Sequence, residues 1–286
     1  MARIGVQAMM VKNEFEADGP FATLKRLNEL GFNAVEISQI SMSEANVGEM
    51  ERARVEFGME IAALSAAMET PVGAPGDSLM KDFDKIVADC MRLACRLVRM
   101  GMMPLWAMAS KKALLDFCSR SNEMAARLAE QGIALYYHNH HIEFAKYDGE
   151  YILDIIRESA PLMRFELDVH WIHRGGKDPV TVLKDYAGLV DLVHLKDYRI
   201  GQLPPNAYEF QQAGDFQAFR TAFEGVVQFA EVGEGNLDFQ SIIDQSLSSG
   251  AKYLLVEQDN QYGRDPFDCL ATSRDNLIAL GYGPLF

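Results

Sequence analysis

Four ionisable residues in the second half of the chain, Glu143, Asp168, His194 and Glu257, recur as if each closed one repeat of a common unit. They are 25, 26 and 63 residues apart, and the last interval contains a long insertion. Side chains alternate along a strand, so in Phe165-Glu166-Leu167-Asp168-Val169 the apolar residues share one face and Glu166 and Asp168 share the other. His194 and Lys196 share a face in the same way at the end of Leu192-Val193-His194-Leu195-Lys196. Glu257 ends the run Leu254-Leu255-Val256, and Glu143 follows the strand ending in Tyr136-Tyr137-His138. Singly, each has an ordinary reading: a solvated carboxylate at a strand end, a turn cap at Asp168, a core histidine at His194. Converging on one rim, three carboxylates and an imidazole repel unless a cation lies between them. An oxygen-rich set with one nitrogen suits Mn²⁺, with Mg²⁺ or Co²⁺ as alternatives, better than a structural zinc.

Convergence requires an architecture that brings strand ends together. Short apolar runs alternate with segments of helical period, and Gly, Asn or Asp marks most junctions. Strands are expected at 3–8, 34–37, 60–66, 97–100, 133–138, 163–169, 189–195 and 252–257. Each is followed by a helix, at 21–30, 43–57, 81–95, 112–130, 150–158, 179–186, 239–248 and 266–280. Eight strand-then-helix units in 286 residues, with no Ser- or Pro-rich linker, predict a single-domain (β/α)₈ TIM barrel over residues 1–286. No GxGxxG follows the first strand and no GxxxxGK[ST] occurs, which sets aside a doubly wound nucleotide-binding sheet. The connection over 198–237, after the seventh strand, is far longer than an ordinary βα loop. Its aromatics argue for an ordered lid or an oligomer contact.

Charge narrows the partners. With 27 Lys and Arg against 41 Asp and Glu, the formal charge is −14, which disfavours nucleic acid and anionic membranes. Residues 1–12 lack a basic, then apolar, leader, and no apolar run is long enough to span a bilayer. Cys90, Cys95, Cys118 and Cys269 form no CxxC pair, so reduced thiols and a cytoplasmic setting are expected. All six histidines fall within 57 consecutive positions, placing the chemistry in the second half. Around the rim, His138 and His140 are candidates for substrate contact, proton transfer or outer hydrogen bonds to a ligand. Lys196 would bind a substrate oxygen or neutralise Asp259, Trp106 and Trp171 would wall a sugar ring, and Glu36 would line the pocket or pair with a cation.

The motifs His138-Asn139-His140-His141-Ile142-Glu143-Phe144, Glu166-Leu167-Asp168-Val169-His170-Trp171, His194-Leu195-Lys196-Asp197, Val232-Gly233-Glu234-Gly235-Asn236-Leu237-Asp238-Phe239 and Val256-Glu257-Gln258-Asp259, in this order, resemble those of the xylose-isomerase-like TIM barrels, the sugar phosphate isomerases/epimerases. The resemblance implies a metal held by Glu143, Asp168, His194 and Glu257, with Glu143 and Glu257 also acting as acid/base groups on opposite faces of the substrate. Where ketose 3-epimerase relatives carry a His three positions after the metal-binding Asp, this chain has Trp171. Their substrate-binding Arg corresponds best to Arg199.

Such a site would chelate a carbonyl and its neighbouring hydroxyl, stabilise an enediolate and let a glutamate remove the α-proton. Return of the proton makes the protein an isomerase or epimerase of a ketose or keto-sugar derivative, the leading expectation. Expulsion of a β-oxygen makes it a lyase, an inosose-type dehydratase or a 3-keto-glycoside eliminase. A non-catalytic sugar-binding barrel and an apurinic endonuclease rank below these. A homo-oligomer, dimer or tetramer, is expected, with a subunit of a heteromeric enzyme as the alternative. The absence of a Gly-rich phosphate cradle leans toward an unphosphorylated carbohydrate.

Overall fold

The computed structural model describes residues 2–70 and 76–286. Eight parallel strands close into a barrel: β1 (Arg3–Gln7), β2 (Ala34–Ile37), β3 (Glu60–Ser65), β4 (Leu97–Met100), β5 (Ala134–His138), β6 (Arg164–Asp168), β7 (Val190–Leu195) and β8 (Tyr253–Val256). They are ordered 1-8-7-6-5-4-3-2 around the ring. The expected helices all form, with ends displaced by up to three residues, among them Pro20–Glu29, Glu44–Phe57, Lys111–Glu130 and Pro266–Leu277. Their starts follow local chemistry. Ser43 and Ser110 accept the backbone N–H three residues on, and Asp265 caps a helix whose first residue is Pro266. Among the described residues no helix is long and apolar enough to cross a membrane.

Strand parity decides what the barrel encloses. Toward the strand starts the interior is filled by Ala62, Ala63, Leu97, Tyr136, Leu192 and Leu255. There the Tyr136 hydroxyl donates to Asp191, which also takes Arg164 Nε at 2.7 Å. Toward the strand ends the inward residues become polar and ionisable yet stay buried: Gln7, Glu36, Arg99, His138, Glu166, Asp168, His194 and Glu257. Register aligns them, with Asp168 opposite His194 across β6 and β7. The apolar partners Phe165, Leu167 and Val169 are buried outside the ring, in the core between sheet and helices.

The connection over 198–237 is more regular than a loop. Asp197–Ile200 pairs antiparallel with Val227–Ala230, and helices Ala207–Gln212 and Phe216–Glu224 lie between them. The second of these helices buries no side chain, leaving Phe216 71% and Phe223 58% exposed. What fixes the insertion is Asp197: its carboxylate accepts the N–H groups of Tyr198 (2.8 Å), Gly233 (3.1 Å), Gly235 (2.9 Å) and Leu237 (3.3 Å). A Cβ at position 235 would come within 2.2 Å of Asp197 Oδ1, so only glycine lets the returning chain wrap this carboxylate.

Candidate metal centre

Asp168 ends β6 and caps the helix Val169–Arg174, its Oδ1 accepting the Trp171 N–H at 3.0 Å. That leaves Oδ2 buried with no hydrogen-bond partner among the described residues. Three other side chains show the same division. The last residue of β5, His138, has Nδ1 3.3 Å from the Gly101 carbonyl oxygen and an unpartnered Nε2. His194 engages Glu36 through Nε2 at 3.1 Å and leaves Nδ1 unpartnered. Glu257 accepts Gln7 Nε2 on Oε1 at 3.2 Å and leaves Oε2 unpartnered. Ligand atoms of these four residues all lie within 4.8 Å of one another, and all four residues are buried. Asp168 Oδ2 is 3.6 Å from His138 Nε2 and 3.8 Å from His194 Nδ1, which is 2.8 Å from Glu257 Oε2. Buried polar atoms are almost always satisfied; four exceptions facing one another fit a chelated cation.

The electrostatics agree at His138, Glu257 and Asp168, and run the other way at His194. Burial pulls His138 down to about 4, keeping it neutral with a lone pair to offer. Burial opposes ionisation of Glu257, but Lys196 and His194 outweigh it and hold the carboxyl at about 2. Asp168 is held well below its usual range, burial being outweighed by Lys196 and the two histidines. His194 moves up despite burial, because Glu166, Glu257 and Glu36 surround it. One layer deeper, Arg99 Nε lies 2.8 Å from Glu36 Oε1 and 3.4 Å from Glu166 Oε2, and burial with Glu36 nearby pushes Glu166 up to about 8.

Glu143 lies outside this group of four. Glu143 is in the 3₁₀ turn Ile142–Phe144, which folds its side chain back: Oε1 accepts the Tyr137 hydroxyl at 2.6 Å and Oε2 the His140 N–H at 2.8 Å. It belongs neither to His138, Asp168, His194 and Glu257 nor to a second group whose ligand atoms are also placed to hold a metal, Glu36, Glu166 and His194; His138, expected as a substrate contact, stands in the first group. The first group offers two nitrogens and two oxygens.

Lys196 sits beside the cluster, Nζ at 3.2 Å from Asp168 Oδ2, 2.9 Å from Glu257 Oε2 and 2.9 Å from Asp259 Oδ1. Trp171 packs against His140 (5.6 Å between ring centroids) and Phe229 (6.2 Å), with Lys196 Nζ 5.0 Å from its ring centre. Phe229 was not among the expected site residues; it comes from the insertion, whose ribbon it joins to the rim. Two other expected contacts have partners within the protein. Trp106 donates its indole N–H to Glu69 and lies under Arg120, and Arg199 is held in the ribbon by Gln228 at 3.3 Å and Glu231 at 3.9 Å.

A family model described as "Xylose isomerase-like TIM barrel" matches residues 24–275. The chain belongs to this family. Within the xylose-isomerase-like barrels it is similar to the rhizopine catabolism protein MocC of Rhizobium meliloti, 30% identical over 141 residues, 49% of this chain and 40% of that protein. It is also similar to an inosose dehydratase of Clostridium perfringens, 29% identical over 146 residues, 48% of this chain and 44% of that one. Both matches span less than half the relative's length. The solved structure of a sugar phosphate isomerase/epimerase from Parabacteroides distasonis superposes with a TM-score of 0.73 at 19% identity, covering 97% of this chain and 98% of that one. That likeness concerns the fold.

Proposed function

We propose that this protein is a divalent-metal-dependent enzyme of keto-sugar or keto-polyol chemistry, with the ion held by His138, Asp168, His194 and Glu257. The observation that carries the reading is the division within each of these side chains: one polar atom is committed to a hydrogen bond, and the other is buried, makes none among the described residues and faces its counterparts. Two imidazole nitrogens with two carboxylate oxygens suit Mn²⁺ or Co²⁺ better than Mg²⁺, which prefers oxygen and water. When bound, the ion supplies Lewis acidity toward a carbonyl oxygen and the charge that develops beside it.

The chain's own residues then divide the proton work. Glu257, kept ionised by Lys196, takes the proton α to the carbonyl. Lys196, backed by Asp259, protonates the oxygen on the β-carbon, so the C–H electron pair becomes a double bond and the C–O bond breaks with release of water. Trp171 and Phe229 cover the apolar side of the substrate, and His140 meets a hydroxyl.

Epimerisation needs a second proton-transfer group on the opposite face. Glu143, expected there, is folded back onto Tyr137 and His140 and lies outside the group of ligand atoms, which favours elimination over return of the proton. The likeness to an inosose dehydratase supports the same order. Incubation of metal-loaded enzyme with inososes and 3-keto-glycosides in D₂O tests it by ultraviolet absorption and mass spectrometry. An unsaturated product is expected. Deuterium in recovered sugar without such a product would transfer the reading to an epimerase, and neither outcome across the panel would contradict it.

A further inference from the structure

We propose that Glu36 is a positioning residue of the metal centre: it holds the Nε2 proton of His194 and so directs Nδ1 toward the ion. The inference rests on the metal reading above. An imidazole carries its proton on either nitrogen, and only the other can ligate; which one is free depends on the hydrogen bond the first makes. His194 Nε2 has two carboxylates at the same distance, Glu36 Oε2 and Glu166 Oε1, both at 3.1 Å. Direction separates them. The contact with Glu36 has hydrogen-bond geometry, whereas neither oxygen of Glu166 has a hydrogen-bond partner.

Glu36 is itself fixed from behind. Arg99 Nε donates to Oε1 at 2.8 Å, and Arg99 Nη2 donates to Ser38 Oγ at 2.7 Å. All four side chains are buried, so no water competes for these bonds. The chain of contacts runs from β7 across the barrel interior to β2 and β4, three separate strands, and ends on the ring nitrogen that faces away from His138, Asp168 and Glu257 and toward the second group, Glu36 and Glu166.

Glu36→Gln is the informative change. The amide has one oxygen, and it can face His194 or Arg99 but not both; whichever it leaves, its NH₂ group meets an N–H donor. Wild type, E36Q and E166Q are titrated with Co²⁺ by calorimetry and by visible absorption of the bound ion, with melting curves of the unliganded proteins in parallel. E36Q is expected to weaken Co²⁺ binding about 10- to 100-fold, as loss of a partner behind a ligand typically does, and to shift the Co²⁺ absorption bands. E166Q is expected to stay within a few-fold of wild type with unchanged bands. If E36Q does not fold, Glu36→Asp keeps the charge beside Arg99, withdraws the acceptor from Nε2 and is expected to give the same loss. Wild-type affinity and spectrum in a folded Glu36 variant, or an equal loss in E166Q, would overturn the inference while leaving the metal centre intact. Failure of wild type to bind Co²⁺ would remove the metal reading itself and this inference with it.

Discussion

His138 Nε2 and Asp168 Oδ2 lie 3.6 Å apart in the barrel mouth, both buried and neither hydrogen-bonded. Each residue satisfies its other polar atom through the backbone, His138 at the Gly101 carbonyl and Asp168 at the Trp171 N–H. Those bonds fix ring and carboxylate in orientation, so the free atoms face each other by construction of β5 and β6. Burying polar atoms in this way is costly unless something pairs them, and a cation pairs both at once.

Tyr137→Phe tests where Glu143 acts. It removes the hydroxyl that donates to Glu143 Oε1 and leaves a buried carboxylate oxygen unpaired, a loss of about 1–3 kcal/mol. A lower urea midpoint with unchanged metal stoichiometry is expected. Metal lost in proportion to a perturbed Glu143 would return that residue to the ion.

Acid sensitivity follows from the histidines. Burial pulls His138 to about 4, His140 to about 3 and His170 to about 4, while in the unfolded chain each takes a proton near about 6.5. Between these values the unfolded state binds more protons, so the stability contributed by these groups is present above the unfolded pKa and is lost as pH falls through the window toward 4. His170, with both ring nitrogens unpartnered, isolates the effect. The melting temperature of H170N, measured from pH 7 to 4, is expected to fall less steeply than that of wild type; parallel slopes would refute the assignment.

Asp197→Asn replaces two accepting oxygens with one and turns an NH₂ toward the N–H groups of Gly233, Gly235 and Leu237. Release of the insertion is expected, read as faster proteolysis within 200–227 while the rest of the barrel resists. Uniform cleavage along the chain, or no change, would show that the insertion is held elsewhere.

The barrel was legible because strand parity and unit spacing survive in the order of residues: Phe165, Leu167 and Val169 alternate with Glu166 and Asp168, and His194 with its apolar neighbours. His138 carries the same strand-end signal, being the last residue of β5 as Asp168 is of β6. What strand periodicity does not encode is the path of a short turn, and the turn Ile142–Phe144 sends Glu143 back onto Tyr137. The Asp197 clip was equally invisible, since its partners lie 36 to 40 positions away. The helix Phe216–Glu224 shows the reverse: its aromatics promised order, which it has, but not burial.

Elemental analysis of the purified chain after dialysis against Mn²⁺ or Co²⁺ tests the centre most directly. Wild type should hold one ion per chain; His138→Ala and Asp168→Ala should hold almost none, and Glu143→Gln should retain it. Full occupancy in folded His138→Ala, or loss in folded Glu143→Gln, would contradict a centre built on His138, Asp168, His194 and Glu257.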